Sequence, residues 1–147
     1  MSEREAGAAT EERADDGARW DSAALARHVA RFAAEKKAEH IVLMDVEAAL
    51  QVTDWFVIAE GRNKRHMNAI AENVARELKR FGIHRLAGTP FTDEQWIVLD
   101  FGPVVLHVFS HDARGFYDLE NLWSDCERTD YAAEPETSAD DSTGDGA

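Results

Sequence analysis

Two periodicities alternate along the middle of this chain. Leu25, His28, Val29, Phe32 and Ala33 recur at helical spacing, which predicts a helix over 23–37. Asp21 or Ser22 can accept from its first free amides, and Lys36 and Lys37 suit its negative end. Ile41, Val42, Leu43 and Met44 form a continuous apolar run, the pattern of a strand covered on both faces. A second strand reads Trp55 to Ala59, closed by Gly61. Met67, Ile70, Ala71, Val74, Leu78 and Phe81 then make one i, i+3, i+4, i+7 stripe, so a long helix is predicted between an Asn63 N-cap and a Gly82 stop. A turn-rich stretch follows, with a short strand near Arg85, Leu86 and Ala87. Trp96 to Asp100 and Val104 to Phe109 are β-rich runs joined closely enough for an antiparallel hairpin. A last helix over 112–123 is expected to turn Phe116, Leu119, Leu122 and Trp123 inward. This order of elements implies an α/β fold, a mixed β-sheet flanked by helices.

At 147 residues the chain suits one domain with a core that needs no disulfide, and the lone Cys126 can form none within the chain. The formal charge of −13 is unevenly placed. Residues 1–19 hold six acids and three bases, and 132–147 hold five acids and no base. Neither end carries enough apolar surface to offset its ordering entropy. We therefore expect a disordered N-terminal tail over 1–19, a folded domain over 20–128 and a disordered acidic tail over 129–147. Bulk acidity argues against indiscriminate binding to DNA or RNA. No apolar run is long enough for a membrane span, and the N-terminus lacks the pattern of a signal peptide. The cytoplasm is the expected compartment.

Candidate chemistry is sparse. Asp45, Asp54 and Asp100 sit at strand ends, where they could hold magnesium or simply bond turn amides. No Gly-Ser step followed by an Asp-x-Asp pair is present, as a nucleotidyltransferase would want. Among the six histidines and the lone cysteine, no local cluster supplies the three or four convergent ligands that zinc needs. Nothing resembles a phosphate loop or a dinucleotide fingerprint. We expect no catalytic residues, no metal and no cofactor. Two features invite a binding role. Arg62, Lys64 and Arg65, with His66, crowd the predicted start of the long helix, where cations oppose the dipole; they either pair with the chain's own acids or meet an acidic partner. Trp96, Phe101 and Pro103 flank a short turn, where they either cap the core or anchor an interface.

Five stretches in order carry a resemblance. They are Asp54 to Ala59 with Gly61; Arg65-His66 with Ala69 to Ala71; Trp96 to Gly102; Val104 to Phe109; and Ala113-Arg114 with Phe116 to Glu120, Leu122 and Trp123. Over residues 21–125 the chain resembles the ribosomal silencing factor (Iojap-like) family. The resemblance implies a nucleotidyltransferase-like fold without catalytic residues. It implies a repressor of translation that binds a ribosomal protein on the large-subunit face meeting the small subunit. Such a protein blocks subunit joining when nutrients run short. Organelle relatives assist large-subunit assembly, so an assembly factor that binds ribosomal RNA is the alternative, with a metal-dependent nucleotidyltransferase a distant third. The positions matching the family's ribosome-contacting region are Trp96, Asp100, Phe101 and Gly102. Pro103 and the basic pair Arg65 and His66 complete the expected partner-binding set, and a homodimer is left open. The chain departs from the family at Arg62-Asn63, where Thr-Ser is usual. It departs also at Thr89-Pro90 and at Pro103, where acids are usual.

Overall fold

The computed structural model describes residues 20–132. The elements, in chain order, are α1 (Ser22–Glu35), β1 (Glu39–Asp45), α2 (Glu47–Leu50), β2 (Trp55–Gly61), α3 (Lys64–Lys79) and β3 (Ala87–Gly88). After these come β4 (Trp96–Asp100), β5 (Val104–Ser110), α4 (His111–Tyr117), α5 (Leu119–Leu122) and β6 (Arg128–Asp130). The six strands form one sheet in the order β3-β4-β5-β2-β1-β6. Only β2 and β5 are parallel, and every other pair is antiparallel. The mixed sheet flanked by helices is therefore the architecture that the periodicities imply.

Alternation along the strands sorts side chains onto two faces. Ile41 and Leu43, Val57 and Ala59, Ile97 and Leu99, and Leu106 and Val108 meet the apolar stripes of α1 and α3 in one core. The two helices are capped as expected. The Asp21 carboxylate accepts from Ala24 N at 2.7 Å, and Asn63 Oδ1 accepts from His66 N at 2.8 Å. At the far end of α3, Gly82 adopts φ 79° and lets Ile83 N bond back to the Leu78 carbonyl. Buried Asn73 donates to the Phe32 carbonyl at 2.8 Å and so fixes α3 against α1.

The second face holds Val42, Met44, Val46, Phe56, Ile58, Phe109 and Ala113, under the short helices α2, α4 and α5. Here the structure departs from expectation. The last helix is two pieces, because Asp118 takes a left-handed conformation (φ 49°, ψ 54°) that ends α4. The break shifts the helical phase, so Phe116 (81% exposed) and Leu122 (65% exposed) point to solvent while only Leu119 and Trp123 pack inward. The sheet also continues past residue 128, since β6 pairs with β1 along Arg128, Thr129 and Asp130. The expected tail over 1–19, and residues 133–147 of the tail expected over 129–147, lie outside the described residues.

Candidate functional site

Trp96 begins β4 half-buried, on the thinly covered face. Its ring lies 5.0 Å from Phe109 and 4.5 Å from Tyr117, centroid to centroid. Its indole N–H donates to His107 Nδ1 at 3.0 Å. That bond makes Nδ1 the acceptor and leaves the imidazole proton on Nε2. The Nε2 atom is buried with no hydrogen-bond partner among the described residues, and the ring meets Phe56 edge-on at 4.5 Å. Burial lowers the His107 pKa to about 4, so the imidazole is neutral at neutral pH and acts as a rigid support beneath the tryptophan.

Tyr117 carries this aromatic stack outward to Phe116, 5.1 Å away and edge-on. Gln95, Asp112, Ala113, Phe116 and Tyr117 line a shallow groove of about 300 Å³. The result is an exposed aromatic ridge on a packed base, with polar groups at its rim. Rigid aromatics of this kind anchor interfaces because little entropy is lost when they dock. Phe116 and Tyr117 were not among the expected partner-binding residues. The helical stripe hid Phe116 by assigning it to the core.

The hairpin turn sits elsewhere. Four residue steps separate Trp96 from Asp100, about 13 Å at the usual rise per residue, so these candidates occupy opposite ends of β4. Asp100 Oδ1 accepts from Gly102 N at 2.8 Å, and Gly102 takes φ 96°, a conformation that favours glycine. The Gly102 carbonyl accepts from Thr53 Oγ1, and the Pro103 carbonyl from the amides of Asp54 and Trp55. Phe101 is only 4% exposed and packs in the main core. The expectation that it offers itself as a surface anchor is corrected: it belongs to the buried core, and Pro103, two residues on, is what faces solvent. Asp45 and Asp54 line a cleft of about 750 Å³ with Gly102 and Pro103, while Asp100 turns to its own loop.

The basic start of α3 divides as well. Arg62 pairs with Glu39 and Lys64 with Glu94, each at 3.7 Å, rather than with Asp54 or Glu60. Arg65 is exposed and has no ion pair among the described residues. His66 is buried and committed on both nitrogens. Nδ1 accepts from Arg62 N at 2.9 Å, and Nε2 donates to the Lys36 carbonyl at 2.7 Å. It clasps the end of α1 to the start of α3, which corrects its expected place at a partner surface. Of the expected set, Trp96 alone shares the aromatic ridge.

Comparison with known proteins follows the same lines. A family model described as "Ribosomal silencing factor during starvation" matches residues 19–146. Ribosomal silencing factor RsfS of Bacillus subtilis is 35% identical over 96 residues, 65% of this chain and 81% of its own length. A mouse protein called "Mitochondrial assembly of ribosomal large subunit protein 1" is 27% identical over 61% of this chain and 41% of its own length. A solved structure from Chromobacterium violaceum superposes with a TM-score of 0.69 at 24% identity, covering 71% of this chain and 88% of that one; it shares the fold.

Proposed function

The chain belongs to the ribosomal silencing factor family, and from that premise we propose that it represses translation by binding the large ribosomal subunit. It docks on a ribosomal protein at the face that meets the small subunit, so that the two subunits do not join, chiefly when nutrients are limiting. The observation that carries this reading is the ridge formed by Trp96, Tyr117 and Phe116. A phenylalanine 81% exposed at the tip of a stacked aromatic column loses favourable free energy in water and recovers it under a partner. The family membership supports a regulatory rather than an enzymatic role. No described helix is long and apolar enough to cross a membrane; on this reading the chain acts in the cytoplasm, where the subunits join.

A second reading, assistance to large-subunit assembly, is favoured by the mouse relative's name. It uses the same subunit and differs in which particle is bound. Gradient separation of a lysate, followed by detection of the tagged chain, distinguishes the two. Mature large subunits carrying the chain, with fewer joined ribosomes after the chain is added, support the repressor. Association only with immature particles, and no effect on joining, supports assembly. Migration away from both overturns the ribosomal reading.

A further inference from the structure

Glu39 and His40 open β1, Glu60 lies near the end of β2, and His111 begins α4. These four residues are scattered over 73 positions of sequence, yet the sheet brings them to one place. Glu39 and Glu60 are directly paired across the antiparallel β1–β2 ladder. Like charges in that position repel, and Glu60 is buried, where repulsion is poorly screened.

The carboxylate of Glu60 is divided between two environments. Oε2 accepts from Arg114 at 3.1 Å, and the same guanidinium donates to the His40 carbonyl and to Glu120. Among the described residues Oε1 is met by two imidazoles, His40 Nδ1 at 3.4 Å and His111 Nδ1 at 3.3 Å. Both distances are long for a hydrogen bond to nitrogen. They match instead the edge of a tetrahedron around an ion with bonds of 2.0–2.1 Å, which is about 3.4 Å. Donor atoms of Glu39, His40 and Glu60 all lie within 4.8 Å of one another. His111 is exposed and joins them through its 3.3 Å contact with Glu60 Oε1.

The backbone is shaped for this meeting. The β1 register shifts between Glu39 and Val42, and His40 holds φ 50°, left-handed backbone that is uncommon outside glycine and that histidine tolerates better than most side chains. Such a bulge re-aims a side chain. Here it presents His40 to the mouth of a cleft of about 700 Å³ that Glu60, His111 and Arg114 also line. Arg114 grips one ligand's carboxylate and another's carbonyl from behind, the arrangement that orients ligands around a metal.

We propose that Glu39, His40, Glu60 and His111 form a closed site for a divalent transition metal of the zinc class. Two imidazoles and two carboxylates suit such an ion, whereas magnesium and calcium ask for an all-oxygen shell. Four protein ligands leave no open position, so the metal's role is structural, tying β1, β2 and α4 together. Ligands drawn from three elements share no local spacing, which is why a search for ligands clustered in sequence does not assemble them.

The test is titration of the chelator-stripped, full-length chain with zinc chloride, followed calorimetrically and by thermal unfolding. One zinc per chain and a raised melting temperature are expected, with no competition from excess magnesium. His40→Ala and His111→Ala replace exposed side chains, so their metal-free melting should match the parent. Each should weaken zinc binding by at least about tenfold, and the double variant should lose the melting shift. Absorption spectroscopy of the zinc edge should show only nitrogen and oxygen ligands. Absence of zinc uptake, uptake unchanged in the double variant, or a sulfur ligand from Cys126 would each overturn the proposal.

Discussion

The two faces of the sheet are built by the same strands, residue by alternate residue, and are covered in opposite ways. On one face α1 and α3, of 14 and 16 residues, lay continuous apolar stripes over aliphatic side chains that are almost wholly buried. On the other, α2, α4 and α5 have four, seven and four residues. Helices that short have no independent stability; they stay in place through tertiary contacts such as those of Ala113 and Arg114. Their cover is incomplete, so this face combines a buried neutral histidine, a half-buried tryptophan and an exposed phenylalanine. The contrast separates tasks. The long-helix face supplies stability, and the short-helix face supplies a surface that stays available for a partner.

Substitutions should respect that division. Phe101→Ala removes a ring from the long-helix core and should cost about 3–5 kcal/mol of folding stability, read as a lowered midpoint in urea. A midpoint close to the parent's would mean that Phe101 belongs to the surface after all and that the two faces are not so distinct.

The second effect comes from His107. Its folded pKa, about 4, is depressed by burial from an ordinary value of 6.5. Below pH 6.5 the unfolded chain takes up a proton that the folded chain refuses, so stability is full above 6.5 and falls as pH drops toward 4. The span of about 2.5 pH units corresponds to roughly 3 kcal/mol. The decline begins above the range in which carboxylates titrate, including Glu120, whose pKa is lowered by its bond to Arg114. Urea midpoints between pH 7 and pH 4 should show the slope in the parent and a flatter one in His107→Gln. An equal slope in both would place the titrating group elsewhere.

These features differ in how far the sequence reveals them. The α3 stripe from Met67 to Phe81 and the Asn63 cap are local and periodic, so they can be read directly. The alternation in β4 and β5 likewise marks the hairpin. The strand β6 escapes notice because Arg128, Thr129 and Asp130 are all exposed; backbone bonds such as Asp45 N to the Glu127 carbonyl, with an Arg128–Glu120 ion pair at 3.7 Å, hold it there. Asp118 carries no signal of its left-handed turn, and without that turn Phe116 falls in register with Leu119 and Leu122 as a core residue. His66 looks like one more member of a basic cluster until one ring nitrogen is seen to bond Lys36 across 30 residues while the other accepts from the Arg62 amide. What pattern reading misses is set by backbone geometry and long-range contact rather than by composition.

A smaller effect is expected at Arg65, in the first turn of α3 and without an ion pair among the described residues. Arg65→Glu places an acid at the positive end of the helix and should raise stability by about 0.3–1 kcal/mol, detectable as a slight rise in melting temperature. If the ridge's partner reaches this corner, the same variant should bind large subunits more weakly and with a shallower dependence on salt. Unchanged binding would confine the contact to the aromatic side.

Phe116→Ala should shift stability least, because an exposed side chain truncated away from packing usually changes it by less than about 0.5 kcal/mol. Its binding to purified large subunits is the deciding measurement, made beside a melting curve of the same preparation. With melting within a degree or so of the parent's, affinity should fall by about thirtyfold, the loss of roughly 2 kcal/mol expected for an interface anchor. Parent-like affinity in a normally melting Phe116→Ala protein would contradict the assignment of the aromatic ridge as the ribosome-binding surface.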